Sequence, residues 1–355
     1  MEKKELIGLS KEELTAELVN IGEKAFRAKQ LWQWIYFRGE TDFDKMTNIS
    51  KDLREKLKQH FSISRPKIIT EQISTDKTHK WLLEFSDGQR IETVYIPEED
   101  RGAVCISTQV GCAVGCKFCH TGSQKITRNL TAGEIVSQFM VARDAYGEWP
   151  SPTNETRFLS NIVVMGMGEP LDNFDNVVKF LRLVSSDIGL NIGMRHITLS
   201  TCGIVPKIYE LAKLHLGITL SVSLHAPNDE IRQRTMPIAR KYSIEELLKA
   251  CSDYFKTTGR RVTFEYSMIS GVNDSDGNAR ELAKRLEGTQ SHVNLIPVNT
   301  VEGTGYLKSN IKRQQAFINI LAAKNIGATV RRTLGSDINA SCGQLKRKHI
   351  EEGGK

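Results

Sequence analysis

The sequence predicts an α/β protein in which parallel strands alternate with crossover helices. Three observations predict it. From about residue 101, strand-like runs ("AVCISTQ", "SNIVVMG", "RHITLST", "ITLSVSLH", "RVTFEYSMI", "HVNLIPV", "ATVRRT") alternate with helix-like ones ("VVKFLRLVSS", "IVPKIYELAKL", "IEELLKACSDYF", "NARELAKRLEG"). The first sixty-odd residues carry helical spacing, and residues 67–98 switch to a period of two. The alternation fits an open or closed β/α barrel as well as a doubly wound sheet, and the irregular spacing of strand centres argues against a repeat.

The N-terminal segment opens with "SKEELTAEL", where Ser10 and Glu13 form a capping box ahead of Leu14, Leu18 and Ile21. A second helix, "AFRAKQLWQWIYFRG", is expected to turn Phe26, Trp32 and Ile35 inward and Arg27, Lys29 and Arg38 outward, where they suit an RNA surface. "KWLLEF" and "RIETVYIP" flank "SDGQ", whose Asp87-Gly88 signals a small hairpin before the main domain. The tail "KRKHIEEGGK" is expected to fray.

The 355 residues are enough for a large domain plus an accessory module. Seven cysteines, an odd number, and no charged-then-apolar-then-small start argue against a secreted disulfide framework. A soluble cytoplasmic protein with reduced thiols is expected. No apolar run approaches the roughly 18 residues of a membrane span. Lys and Arg (49) exceed Asp and Glu (42) by 7, a mild bias that permits a nucleic-acid partner without requiring one.

"GCAVGCKFCHTG" sets Cys112, Cys116 and Cys119 as C-x3-C-x2-C in a loop between a strand and the helix-like "TAGEIVSQFMVARDAYG". Gly111 and Gly115 permit the tight turns that let three thiols converge on a metal centre. Zinc would need a fourth ligand, such as His120. An iron–sulfur cluster with three cysteines keeps one iron open for something else. On spacing alone both stand. "VVMGMGEP" then puts Gly166, Gly168, Glu169 and Pro170 at a strand end, where β/α sheets bind ligands.

Together, the cysteine motif and "MGMGEP" resemble the radical S-adenosylmethionine (SAM) superfamily, in which SAM chelates the fourth iron of a [4Fe–4S] cluster and the Gly-Glu segment binds its amino group. "ETVYIPEEDRGAVCISTQVGCAVGCKFCHTG", "MGMGEPLDN", "SVSLHAPNDEIR", "EYSMISGVNDS", "VNLIPVN" and "DINASCGQL" narrow the resemblance to the RlmN/Cfr family, on its RlmN side, from about Phe26 to Leu345. It implies a partial (β/α)6 barrel over 101–345, an N-terminal helical RNA-binding module over 1–65, a β-hairpin extension over 66–100 and a flexible tail over 346–355.

The resemblance also implies chemistry. One SAM methylates Cys342; a second is cleaved reductively, and the resulting radical takes a hydrogen from the S-methyl group. The carbon radical adds to adenine carbon 2, and after loss of an electron and a proton Cys105 attacks Cys342, releasing methylated base and leaving a disulfide for external reductant. The substrates implied are 23S ribosomal RNA near the peptidyl-transferase region and the adenine 3′ of the tRNA anticodon. Glu92 matches the acid/base carboxylate. Gly168, Glu169, Ser200, Ser223, Leu224, His225 and Asn299 match SAM-binding positions, and Cys112, Cys116 and Cys119 the cluster ligands. A flavodoxin-like electron donor and a monomer are expected. Without the resemblance, Glu92 reads as a solvent-facing strand residue, and Cys105 and Cys342 as core cysteines. Two alternatives stand beside it: a Cfr-type carbon-8 enzyme, and a zinc-stabilised RNA-binding protein without catalysis that would use His120. Cys251 fits a helix core, and Cys202 has no assigned role.

Overall fold

The computed structural model describes residues 3–99, 101–152, 157–298, 305–338 and 345. The chain enters through β1 (Lys4–Glu5) and α1 (Lys11–Asn20). Ser10 and Glu13 form the expected capping box, Glu13 N donating to Ser10 Oγ at 3.2 Å and Ser10 N to the Glu13 carboxylate at 2.6 Å. Helix α2 (Arg27–Trp32) runs on into a π-helical turn, Gln33–Phe37. Trp32 and Ile35 are buried as expected, but Phe26 is 57% exposed. It sits ahead of the first turn, outside the inward stripe, and its ring carries the Arg27 guanidinium 4.8 Å from its centroid. Helix α3 (Lys51–His60) leads to β2 (Phe61–Ser62), which pairs with β1 in parallel.

The period-two segment forms three antiparallel strands, β3 (Lys67–Ile73), β4 (His79–Glu84) and β5 (Arg90–Pro97). The β4–β5 turn is closed by Gly88 N donating to Phe85 O at 2.9 Å, with Gly88 at φ +78° as the left-handed residue such a loop needs. The expected free-standing hairpin is therefore the outer part of the main sheet. β5 pairs antiparallel with β6 (Gly102–Cys105) and covers an edge that would otherwise stay open.

A short ribbon, β7 (Gln109–Val110) with β8 (Arg128–Asn129), brackets the three-cysteine loop. Then come α4 (Ala132–Tyr146), β9 (Leu159–Val164), α5 (Phe174–Val184), β10 (Ile197–Thr201), α6 (Val205–Lys213), β11 (Thr219–Ser223), α7 (Asp229–Thr235), α8 (Ile244–Thr258), β12 (Val262–Met268), α9 (Asp276–Leu286), β13 (Ser291–Pro297), α10 (Ile311–Ala322) and β14 (Gly327–Val330). The sheet order is β14-β13-β12-β11-β10-β9-β6-β5-β4-β3, with β6 and β9 to β14 mutually parallel. The order is linear, so the barrel stays open. Every strand-like run in the sequence is a strand, whereas α7 and α10 were not anticipated. α10 buries little of its surface, Phe317 and Leu321 chiefly, so its periodicity is weak.

The N-terminal helices share one apolar core with the barrel. Gly8 N donates to Tyr36 Oη at 2.7 Å, Ser151 N donates to Phe37 O at 2.7 Å, and Arg65 pairs with Asp144 at 2.7 Å. Gly8 lies directly on Gly133 in the first turn of α4: a Cβ on Gly133 would fall 2.3 Å from Ile7 O. Replacing a helical glycine by alanine ordinarily gains about 0.8–1.0 kcal/mol. Here the clash is with backbone, which cannot swing aside, so Gly133→Ala is expected to destabilise by about 1–3 kcal/mol. A denaturant midpoint equal to or above that of the unmodified chain would show that the two segments are not locked together.

Candidate functional site

The parallel strands end on one rim, and the sequence motifs gather there. A cavity of about 300 Å³ is lined by Cys112, Cys116 and Cys119. Gly168, Glu169, Ser200, Ser223 and His225 line the same cavity. The loop bearing the thiols is folded back by Gly111, whose φ is +85° and whose Cβ, if present, would fall 2.2 Å from Lys125 O. It is pinned by Cys119 N donating to Cys116 O at 3.1 Å and Lys117 N donating to Thr235 O, at the end of α7, at 2.9 Å. Burial pushes the Cys112 thiol up to about 12 and raises Cys116 further, and the neighbouring thiols add to the effect at both.

The Gly-Glu segment is built by close backbone approach. A Cβ on Gly166 would lie 2.6 Å from Ile106 O, and one on Gly168, at φ +104°, 2.6 Å from Gln109 Cβ. Glu169 is buried, and its carboxylate is a latch between strand ends. Oε1 accepts from Thr201 Oγ1 at 2.7 Å and Leu171 N at 3.0 Å, and Oε2 accepts from Cys202 N at 2.7 Å. Burial raises its carboxyl, and these bonds oppose the rise. Its own N donates to Gln109 Oε1 at 2.8 Å.

After β11 the chain turns sharply, His225 adopting φ +56°. Nδ1 of His225 accepts from Ser267 N at 2.8 Å, so the neutral ring carries its proton on Nε2. Burial, reinforced by the charge of Arg232, pushes this imidazole down to about 3. Leu224 differs from its neighbours: its side chain is in the apolar core, its N donates to Glu265 O at 3.0 Å and its O accepts from Arg232 Nε at 3.2 Å. Asn299 lies outside the described residues.

A second cavity, of about 250 Å³, contains Glu92 and Cys105 and shares Met165, Gly166, Ile296 and Arg331 with the first. Glu92 is not solvent-facing. It is 2% exposed and pairs at 2.9 Å with Lys80, itself fully buried. Lys80 was not singled out in the sequence, where a lysine in "HKWLLEF" looks like an ordinary alternating polar residue. Cys105 is half-buried; burial raises its thiol, and Arg331 is the foremost neighbour lowering it. Cys342 and the 346–355 tail lie outside the described residues. Cys251 is a core residue of α8 as expected, and Cys202 gains a role through its backbone bond to Glu169.

Among the described residues no three His, Cys, Asp or Glu side chains close on a point suited to one metal ion. A single zinc would draw its sulfurs to about 2.3 Å of one centre. A multinuclear cluster offers several irons, and three half-buried thiols along one cavity wall fit that demand.

Residues 4–63 match the family described as ribosomal RNA large subunit methyltransferase N-terminal domain, and residues 106–283 match the radical SAM superfamily. The chain is 54% identical over 348 residues to the dual-specificity RNA methyltransferase RlmN of Rhodospirillum rubrum, covering 98% of this chain and 81% of that protein. It is 48% identical to the probable dual-specificity RNA methyltransferase RlmN of Clostridium novyi, covering 98% and 99%. The crystal structure of a radical SAM methyltransferase from Sphaerobacter thermophilus superposes with a TM-score of 0.90 at 45% identity, covering 96% of this chain and 98% of that one.

The neutral His225 sets a pH dependence. Its folded value of about 3 lies below the ordinary 6.5, so between these limits the unfolded chain binds a proton that the folded chain refuses. Stability contributed by this group is complete above about pH 6.5 and falls by about 1.4 kcal/mol per unit below it. Urea unfolding at pH 7.5 and 5.5 should therefore show a smaller acid loss in His225→Asn than in the parent. Parallel losses in the two proteins would mean that the ring takes up its proton freely.

Proposed function

The chain belongs to the RlmN family of dual-specificity RNA methyltransferases, and on that premise we propose that it methylates carbon 2 of an adenine in the peptidyl-transferase region of 23S ribosomal RNA and the adenine 3′ of the tRNA anticodon. It is a radical SAM enzyme, a class whose cofactors are a [4Fe–4S] cluster and SAM. Both comparisons overturn the zinc-stabilised, non-catalytic reading. The relatives' RlmN names favour carbon 2 over the carbon-8 alternative.

In this reading Cys112, Cys116 and Cys119 would hold the cluster, and Gly168, Glu169, Ser200, Ser223, Leu224 through its backbone, His225 and Asn299 would surround SAM. Bound there, the cluster would supply the electron for reductive cleavage of SAM. Cys342 carries the methyl group as S-methylcysteine and then holds the RNA covalently. Cys105 breaks that bond by attacking the Cys342 sulfur, and Glu92, steadied by Lys80, moves the proton. Two SAM molecules are consumed per turnover. A flavodoxin-like carrier supplies electrons to a cytoplasmic monomer. No described helix is long and apolar enough to cross a membrane.

The observation that carries this reading is the wall shared by the three-cysteine cavity and the Glu92–Cys105 cavity, which supports proton and thiol chemistry beside the cysteine loop. The described segment up to residue 338 agrees with it. Asp337 accepts from Ser74 Oγ at 2.5 Å and Thr75 N at 3.1 Å, near the Thr78 that lines the second cavity. Incubating the anaerobically reconstituted protein with SAM should add one methylene to the tryptic peptide 333–346, on Cys342. An unmodified peptide from cluster-replete protein would overturn the carrier-cysteine mechanism.

The target adenine must leave its stack to reach Cys342. Arg331 and Arg332 suit the flanking phosphates: both also line a wider outer hollow of about 680 Å³ beside the second cavity, and neither side chain has an ion pair among the described residues. Arg27, Lys29 and Arg38 form a second basic contact. Neutralising Arg331 and Arg332 together should weaken RNA binding and lower the slope of log affinity against log salt by roughly 0.7 to 0.9 for each phosphate lost. A parent-like slope would exclude these arginines from the RNA interface.

A further inference from the structure

The turn that joins β3 to β4, residues 74–78, is closed on itself. Ser74 N donates to Thr78 O at 2.8 Å and Lys77 N to Ser74 O at 2.9 Å, with Lys77 in the left-handed region at φ +69°. The turn is also tied to the segment that follows β14, by one carboxylate from each side. Asp76 Oδ2 accepts from Gly335 N at 2.7 Å, and Asp337 accepts from Ser74 Oγ at 2.5 Å and from Thr75 N at 3.1 Å. Asp76 is itself set by the turn, its Oδ1 accepting from Thr78 N at 2.9 Å. Each segment thus lends a carboxylate to the other's backbone N–H. Both flank the second cavity, which Thr78 lines from the turn and Arg331, Arg332, Thr333 and Leu334 line from the segment. Hydrogen bonds to charged groups are among the stronger ones, so three of them between two exposed stretches of chain make a fixed point.

Resting on the proposed roles of Cys342 and Cys105, we infer that Asp76 and Asp337 are positioning residues, a latch that shortens the tether between Cys342 and the cavity holding Cys105. Arg331 is fixed by its backbone bond to Leu295 O, and the latch is the next such point along the chain among the described residues. From Asp337 to Cys342 is five residues, a reach of no more than about 18 Å, whereas from Arg331 it is eleven, about 40 Å. Effective concentration at the end of a tether falls roughly as the −3/2 power of its length, so opening the latch dilutes the Cys342 thiol at Cys105 by about threefold. In the proposed reaction Cys105 must reach the Cys342 sulfur, and the shorter tether favours that meeting.

The test is a thiol–disulfide equilibrium on the full, anaerobically cluster-loaded chain. Oxidised glutathione accepts the two electrons and two protons given up as Cys105 and Cys342 join, and leaves as two reduced glutathiones. Mass analysis of the joined tryptic peptides at several glutathione ratios gives an equilibrium constant that is the effective concentration of the pair. D76A/D337A, whose changes fall on exposed side chains, should lower that constant by about threefold or more. With Cys342→Ser in both backgrounds, the mixed disulfide of Cys105 with glutathione should form equally, because the latch acts on the tether and not on this thiol. An unchanged pair constant, or an equal fall in the mixed disulfide, overturns the latch and leaves the roles of the two cysteines standing. A parent that forms no joined peptide at any ratio overturns the pairing itself, and this inference with it. Should the double variant not take up the cluster, D337A alone gives the same comparison at a seven-residue tether from Gly335, with a fall of about 1.7-fold.

Discussion

The rim where the parallel strands end depends on how closely two backbones meet, those following β6 and β9. With no side chain at Gly166, its N donates to Ile106 O at 2.9 Å, and the chain then runs beside Ser107. Ser107 becomes the knot. Its Oγ donates to Glu92 O at 2.7 Å and accepts from Met167 N at 2.9 Å, while its N donates to Gln138 Oε1 and its O accepts from Gln138 Nε2, both at 2.8 Å. One serine thus fixes the strand of Glu92, the Gly-Glu segment and helix α4 relative to one another. The next two residues, Thr108 and Gln109, both donate their backbone N–H to Met167 O, so the three-cysteine loop leaves from the same fixed point.

Buried charge does not by itself mark the site. Arg143 is fully buried, yet it packs on Phe139 and Trp149, approaches Glu148 and donates to Leu190 O away from the rim, a structural tie between helix and loop. Arg232 is equally buried but gathers Cys202 O, Ser223 O and Leu224 O, the carbonyls where β10 and β11 end, and so shapes the three-cysteine cavity indirectly. Glu92 with Lys80 differs again. A buried ion pair is a poor source of stability, because desolvation offsets its attraction, and an apolar pair would pack as well. Its placement on a cavity that also holds Cys105 makes a chemical reason for keeping it the better explanation.

The alternation of strands and helices was legible because parallel strands buried on both faces are written as apolar β-branched runs. The cysteine loop and the Gly-Glu turn were legible as spacing. Lys80 was not, since a period-two pattern says which residues share a face and not whether that face is covered. Glu92 was misread on composition for the same reason: β5 lies within the sheet between β4 and β6. Glu265 left no trace either, being an isolated acid in "RVTFEYSMI" whose burial in the wall of the thiol cavity only the structure shows. Phe26 failed differently, because the helix begins one residue after it.

The two cavities meet at Arg331, which lines both and also the outer hollow, held there by its backbone N donating to Leu295 O at 2.9 Å. On the proposed reading Cys105 must stay a protonated bystander while carbon radicals form, and become a thiolate nucleophile afterwards. Burial raises its thiol, and the Arg331 cation at the cavity mouth opposes that rise. RNA phosphate arriving at that mouth would draw on the same positive charge. On that reading, a phosphate that neutralised Arg331 would favour the Cys105 thiol over its thiolate, so the thiol stays protonated while phosphate sits against this cation.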